Sequence, residues 1–205
     1  ANVEGTRHVV RACREQGVRH LIFTSSPSAV SAWGGIEGGD ESLPYPERFP
    51  APYPESKADA ERIVLAANGP GLATCALRPH LVWGVGDPHL VGRLVAMAQT
   101  RRLVQIGDGT NRVTLTHVRN AARAHVQAMR GLRDGAPLAG RAYFIGDERP
   151  VVLWDWVNGL LRRAGLPTVN RSLGLRAALT IGALQEQLHR AVPFLGEPRL
   201  TRFLA

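Results

Sequence analysis

Apolar residues recur at helical spacing in some stretches of the chain and form short unbroken runs in others, and the two kinds alternate. Thr6, Val9, Val10 and Cys13 stand at i, i+3, i+4 and i+7, which predicts a helix over residues 3–16 with Gly17 as its C-cap. Leu21, Ile22, Phe23 and Thr24 read as a short strand covered on both faces. The pattern then predicts a helix over 53–68, stopped by Gly69-Pro70, and a second buried strand over 72–77. Further along it predicts a helix over 90–100, a strand over 103–106, a turn at Gly107-Asp108-Gly109 and a strand over 113–118. A helix over 121–130, a strand over 142–145 and a helix over 153–164, ended by Gly165, follow. Residues 172–195 read as an amphipathic helical stretch with Leu175, Leu179 and Leu188 on one side.

Helices alternating with short apolar strands predict an α/β fold, a doubly wound parallel sheet with helices on both faces. Beyond about Asp87 the strands become short and irregular, which suits a smaller α/β lobe, with the division at 86/87 and the lobe over 87–205. Residues 27–51, with Gly34-Gly35, Gly38-Gly39 and four prolines, predict a long loop of the kind that often carries function. Ligands of such sheets bind outside the carboxyl ends of the strands, so chemistry is expected just after Thr24 and just after Leu77.

Composition changes this picture little, with one exception. The 205 residues are 44% hydrophobic and 20% charged, which excludes disorder and fibrous repeats. No apolar run reaches the roughly 18–20 residues a membrane helix needs. Cys13 and Cys75 have no metal or disulfide spacing and read as core residues in a reducing cytoplasm. The seven histidines show no ligand spacing, and no metal is expected. The net charge of +8 comes from dispersed arginines without a nucleic-acid-binding motif, so no nucleic acid partner is expected. The exception is that, of the 25 basic residues, only Lys57 is a lysine. Neither end reads as a natural terminus, so the chain is expected to be part of a longer protein.

Tyr53 and Lys57 are i and i+4 on one predicted helix, so their side chains share a face. A phenol is a poor acid or base near neutrality, and an adjacent ammonium favours its phenolate and brings it toward useful range. A hydroxyl at the preceding strand end, in Thr24-Ser25-Ser26-Pro27-Ser28, can hold a substrate oxygen while Tyr53 moves the proton. This is apparatus for interconverting a carbonyl and an alcohol, given a hydride donor. On spacing alone such a pair is more often a solvated helix face. That the lone lysine falls here, where arginine could not replace a compact ammonium, shifts the balance toward chemistry.

Asn2-Val3-Glu4-Gly5-Thr6, the Thr-Ser-Ser-Pro-Ser strand end and Pro50-Ala51-Pro52-Tyr53-Pro54-Glu55-Ser56-Lys57 together resemble the extended short-chain dehydrogenases/reductases. Ala76-Leu77-Arg78-Pro79, Trp83-Gly84-Val85-Gly86-Asp87 and Gly107-Asp108-Gly109-Thr110-Asn111 narrow the resemblance to the 3β-hydroxysteroid dehydrogenase-like (epimerase/dehydratase) branch. Within it, the 196–205 ending is most similar to bacterial reductases of long-chain 2-alkyl-3-oxoalkanoates. The resemblance implies a Rossmann-like fold, with residues 1–86 as the C-terminal part of an NAD(P)-binding domain and 87–205 as most of a substrate lobe. It implies NAD or NADP as cofactor, an apolar small-molecule substrate (a 2-alkyl-3-oxoalkanoate or a 3β-hydroxysteroid) and a cytoplasmic enzyme, and it admits a homodimer. A sugar-nucleotide epimerase or dehydratase and a non-catalytic reductase-like binding protein stand as alternatives.

By the same resemblance Tyr53 is the acid/base, Lys57 tunes it and binds the nicotinamide ribose, and Ser26 polarises the substrate oxygen, ahead of Ser25 and Ser28. Asn2 supports the lysine, although its position also suits a helix N-cap. Ser25 and the segment of Pro79, His80, Leu81 and Val82 meet the nicotinamide end; the segment also reads simply as a strand exit. The G-x-x-G-x-x-G fingerprint and the acid after the second strand are absent from these residues, so NAD and NADP cannot be told apart, and the 205 residues alone are expected to bind cofactor poorly and to be inactive. Arg119 stands where the family has an acid before Asn120.

Overall fold

The computed structural model describes residues 2–33 and 35–191, with side chains through residue 183. In chain order the elements are α1 (Asn2–Glu15), β1 (His20–Thr24), α2 (Pro52–Ala66), β2 (Ala73–Pro79), β3 (Val82–Trp83), α3 (Val91–Gln99), β4 (Gln105–Ile106) and β5 (Arg112–Val113). They continue with β6 (Thr116–His117), α4 (Val118–Gly131), β7 (Arg141–Ile145), β8 (Val151–Val152), α5 (Leu153–Arg163), β9 (Ser172–Leu173) and α6 (Leu175–Ala191).

The described residues form two compact units, those up to 85 with 114–149, and 86–113 with those from 150 onward. The first unit is built on a parallel sheet in the order β1-β2-β7, with Ile22 opposite Cys75 and Cys75 opposite Arg141. All seven residues of the central strand β2 are buried. Side chains alternate across a strand, and the two faces are covered accordingly. On one face Val10 and Cys13 of α1 and Val64 of α2 pack with Leu21 and Phe23 of β1. On the other, Ala73, Cys75 and Leu77 of β2 pack with Ala128 of α4 and with Leu132. The same alternation turns Thr74 and Arg78 of β2 toward α2, where Thr74 Oγ1 donates to the Val64 carbonyl at 2.8 Å. The first helix ends as its sequence predicts, with Gly17 at φ +66° and the Val18 N–H returning to the Cys13 carbonyl.

In the second unit α3 and α5 pack through Ala98, Val157 and Leu161, with Leu94, Leu103, Trp154 and Trp156 around them. Here β4 pairs in parallel with β9, and β5 pairs antiparallel with β8.

Several expectations need correction. The single strand over 113–118 is two, because the chain passes between units at 113/114 and each half pairs inside its own unit: β5 with β8, and β6 with β3. The following helix begins at Val118 rather than Ala121, because His117 caps it, its imidazole accepting the Arg119 N–H. The 172–195 stretch opens as strand β9 before α6 begins at Leu175; Leu188 and residues 192–195 lie outside the side chains and residues described. The linear cut at 86/87 misses the return of 114–149 to the first unit, which supplies the central strand's second neighbour β7. No described helix is long and apolar enough to cross a membrane.

Candidate active site

The candidate residues lie at the carboxyl end of the β1-β2-β7 sheet. Beyond Thr24 the ladder runs one residue further, the Ser25 N–H donating to the Leu77 carbonyl at 2.7 Å. Ser25 is buried, and its Oγ has no hydrogen-bond partner among the described residues. Ser26 has extended backbone and caps a short 3₁₀ turn, Pro27–Val30. Its Oγ accepts the Ser28 N–H at 3.3 Å and the Ser28 hydroxyl at 3.0 Å. Because Ser26 accepts from both, its own hydroxyl proton remains available to a third group.

The long loop ends at Ala51, and Pro52 in the first turn starts α2, where a missing N–H costs nothing. Tyr53 is half exposed. One turn on, Lys57 Nζ donates to the Thr24 carbonyl at 2.6 Å and lies 4.4 Å from the centroid of the Phe23 ring. Burial pushes the Lys57 ammonium below its ordinary range, and the Glu61 carboxylate opposes that. Asn2 does not reach Lys57; its amide donates to Ser56 Oγ at 3.0 Å, and Ser56 Oγ donates to the Tyr53 carbonyl at 2.9 Å. Asn2 thus ties the start of α1 to the first turn of α2, using the amide nitrogen rather than the oxygen that a capping bond would need.

Pro79 ends β2 opposite Ile145 of β7. The exit is held by Thr116, fully buried, whose Oγ1 accepts the His80 N–H at 3.1 Å and lies 2.8 Å from both the His80 and Ile145 carbonyls. Leu81 follows at φ +42°, a left-handed turn unusual for a residue with a side chain, and Val82 opens β3. Burial pushes the His80 imidazole down, toward its neutral form. Trp33, in the long loop, is largely exposed, and Trp83 meets His117 edge to face at 4.9 Å.

Sequence reasoning missed the groups beneath these residues. Glu61, two turns after Tyr53, is fully buried and accepts from Arg78 twice, from Nη2 at 2.6 Å and Nε at 3.0 Å. It also accepts the Tyr45 hydroxyl at 2.8 Å. A carboxylate on the apolar face of a helix was the available signal. Thr24 Oγ1 lies 2.8 Å from His125 Nε2, and His125 Nδ1 lies 2.8 Å from the Ala121 carbonyl, a pairing of β1 with α4 that no local pattern announces.

The arrangement can hold and move a proton. It has a half-exposed phenol, an ammonium one turn away that keeps two further N–H donors, and a serine hydroxyl at the adjoining strand end.

Comparison with known proteins identifies relatives of the chain. A 2-alkyl-3-oxoalkanoate reductase of Stenotrophomonas maltophilia (strain K279a) is 47% identical over 207 residues, covering 100% of this chain and 63% of that protein. A 3beta-hydroxysteroid-dehydrogenase/decarboxylase, isoform 1, of Arabidopsis thaliana is 43% identical over 173 residues, covering 80% of this chain and 39% of that protein. The chain therefore spans less than two thirds of the length of either relative. Among solved structures, the dTDP-glucose 4,6-dehydratase DesIV of Streptomyces venezuelae, a double mutant with NAD bound, superposes with a TM-score of 0.68 at 24% identity, covering 84% of this chain and 53% of that one; this establishes the Rossmann-type α/β fold. The profile of the 3-beta hydroxysteroid dehydrogenase/isomerase family matches residues 1–175, and the chain belongs to that family.

Proposed function

We propose that the protein carrying this chain is an NAD(P)-dependent oxidoreductase that interconverts a secondary alcohol and a ketone on an apolar substrate, a 2-alkyl-3-oxoalkanoate or a 3β-hydroxysteroid. The observation that carries the reading is the placement of Tyr53 and Lys57 one turn apart on α2, with Lys57 anchored on Thr24 immediately before the serine pair. Reduction needs a proton delivered to the carbonyl oxygen. Tyr53 supplies it, and on oxidation takes it back. The Lys57 ammonium favours the phenolate that remains, and the Thr24 carbonyl fixes where that ammonium stands. Ser26 donates its free hydroxyl proton to the substrate oxygen, and the Ser28 hydroxyl bonded to Ser26 Oγ strengthens that donation.

The residues present fit the nicotinamide-ribose end of a dinucleotide. An ammonium, a phenol and the orphaned, buried hydroxyl of Ser25 form a donor set suited to ribose hydroxyls, and Pro79, His80, Leu81 and Val82 leave the neighbouring strand on the same end of the sheet. The nicotinamide, when bound, supplies or accepts the hydride. No Gly-rich pyrophosphate fingerprint lies in these 205 residues, so we assign that task to no residue here. The second unit is proposed to shape the substrate lobe.

The test is Tyr53→Phe, assayed by nicotinamide absorbance with 2-alkyl-3-oxoalkanoates and 3β-hydroxysteroids. Turnover is expected to fall by roughly 100-fold or more with cofactor binding retained. Retained turnover would overturn the assignment of Tyr53. Turnover of sugar nucleotides by the unaltered protein, and of neither apolar substrate, would instead favour the epimerase or dehydratase reading.

A further inference from the structure

Along α2 the positions 53, 57 and 61 form one stripe at i, i+4 and i+8 that descends from solvent into the core. Tyr53 is 50% exposed, Lys57 is partly buried and Glu61 is 0% exposed. A carboxylate with no access to water is costly unless it is paired and fully hydrogen-bonded. Glu61 meets that condition through partners from two other segments, Arg78 from β2 and Tyr45 from the long loop. Arg78 is itself 3% exposed, lies over the Phe144 ring of β7 and immediately precedes Pro79. The Tyr45 ring is covered in turn by Arg62, which pairs with Asp59. One buried carboxylate thus joins the helix that bears Tyr53 and Lys57 to the strand whose end begins the Pro79, His80, Leu81, Val82 segment and to the loop.

We propose that Glu61, fixed by Arg78, is a positioning residue for Lys57: the pair locks the rotation of α2 against β2 and holds a carboxylate one helical turn beneath the ammonium. The inference rests on the catalytic reading of Lys57 above for its meaning, but its test does not. A packing role alone would be served by apolar side chains of similar volume, often with a gain in stability. A carboxylate is needed if the ammonium above it must be kept charged while burial works against it, and Arg78 is the partner that lets that carboxylate stay ionised and in place inside the core. Among the described residues, Lys57 and Glu61 meet groups from several elements. From β2 comes Arg78, from the loop Tyr45, from β1 the Phe23 ring and the Thr24 carbonyl, and on α2 Tyr53 stands one turn before Lys57. From α1 the neutral amide of Asn2 reaches α2 through Ser56.

Lys57 is the only lysine among these 205 residues, and in [13Cε]lysine-labelled protein its NMR signal is assigned by its loss in Lys57→Arg. In Glu61→Gln the ammonium loses its carboxylate and faces an uncompensated Arg78, and its titration midpoint is expected to move to lower pH by about one unit. In Arg78→Gln the carboxylate acts without its partner and the midpoint moves to higher pH. In the double variant it stays below the starting value, because the carboxylate of Glu61 acts on Lys57 more strongly than Arg78 does. Either single variant that keeps its circular dichroism decides the matter. A fall in Glu61→Gln that persists in the double variant supports the proposal. A Lys57 titration that does not move in a folded single variant overturns it. If the unaltered protein turned over no substrate, the proposed function would fall while this measurement still decided the role of Glu61.

Discussion

Asp147 is the carboxylate bonded to Asn120 and to the start of α4. The resemblance leads one to expect an acid immediately before Asn120, where Arg119 stands. A carboxylate does reach Asn120, from Asp147, 27 residues later, which accepts the Asn120 amide at 2.7 Å and the His117 N–H at 3.0 Å. Burial pushes its carboxyl up, and hydrogen bonds from Asn120, His117 and Trp83, with the His117 charge, together more than offset that and hold it below its ordinary 3.8. The folded state therefore binds its proton less readily than the unfolded chain does. The stability this contributes is fully present above about pH 4 and is lost as pH falls through the lower folded value. Asp147→Asn should cost about 1 kcal/mol near neutrality, since the carboxylate is only partly buried. The difference from the unaltered chain should begin to shrink below about pH 4 in urea titrations and go on shrinking with further acidification; a gap of constant size from neutrality down to about pH 2 would rule out an ionic origin. Tyr45 shows the opposite case. Burial and the neighbouring Glu61 carboxylate push its phenol up to about 12, so it stays protonated and keeps donating to Glu61 across the physiological range.

Among the elements, the exit of β2 depends most on a single side chain. Thr116 of β6 holds both backbone groups of His80 and approaches the Ile145 carbonyl of β7, so one buried hydroxyl gathers the ends of three strands. Thr116→Val keeps the shape and removes the hydroxyl, leaving the His80 N–H and two carbonyls without that partner. It is expected to cost about 2 kcal/mol in denaturant unfolding. Because the released segment contains Leu81 at φ +42°, it should also gain amide hydrogen exchange ahead of β1. An unchanged midpoint with unchanged exchange would show that the backbone alone shapes the exit. Helices were the legible elements here: the ends of α1 and α5 fall at Gly17 and Gly165, both at positive φ, as a local C-cap signal can announce. Two-residue strands such as β3, β5 and β6 were not, because so short a segment carries no period, and its pairing partner alone makes it a strand.

For the whole molecule, the chain crosses between its two units at 85/86, 113/114 and 149/150, so neither unit is a continuous stretch. The first unit can be followed by its thiols. Cys75 sits in the central strand with 0% exposure, and burial pushes its thiol up to about 11; Cys13 is buried beneath α2. Both should react with a thiol reagent at least roughly 100-fold more slowly in the folded protein than in denaturant, with Cys75 reporting opening of the sheet itself. Rapid native-state labelling of Cys75 would contradict a closed β1-β2-β7 core.

Much of the candidate site could be read from the chain alone. The alternation of helix and buried strand, the one-turn spacing of Tyr53 and Lys57, the single lysine among the basic residues and the serines at the end of β1 are properties of residue identity and local period, and a short window contains them whole. The rest could not. Lys57 finds the carbonyl of Thr24, 33 residues before it, Glu61 finds Arg78, 17 residues after it, and Thr24 meets His125 at a separation of 101. The run over 113–118 became two strands because different units claimed its halves. Hydrophobic periodicity states which face of an element is buried, not against what. The partners of a buried charge are decided when the elements pack, since that is when water is removed and a carboxylate must find its donors inside the protein.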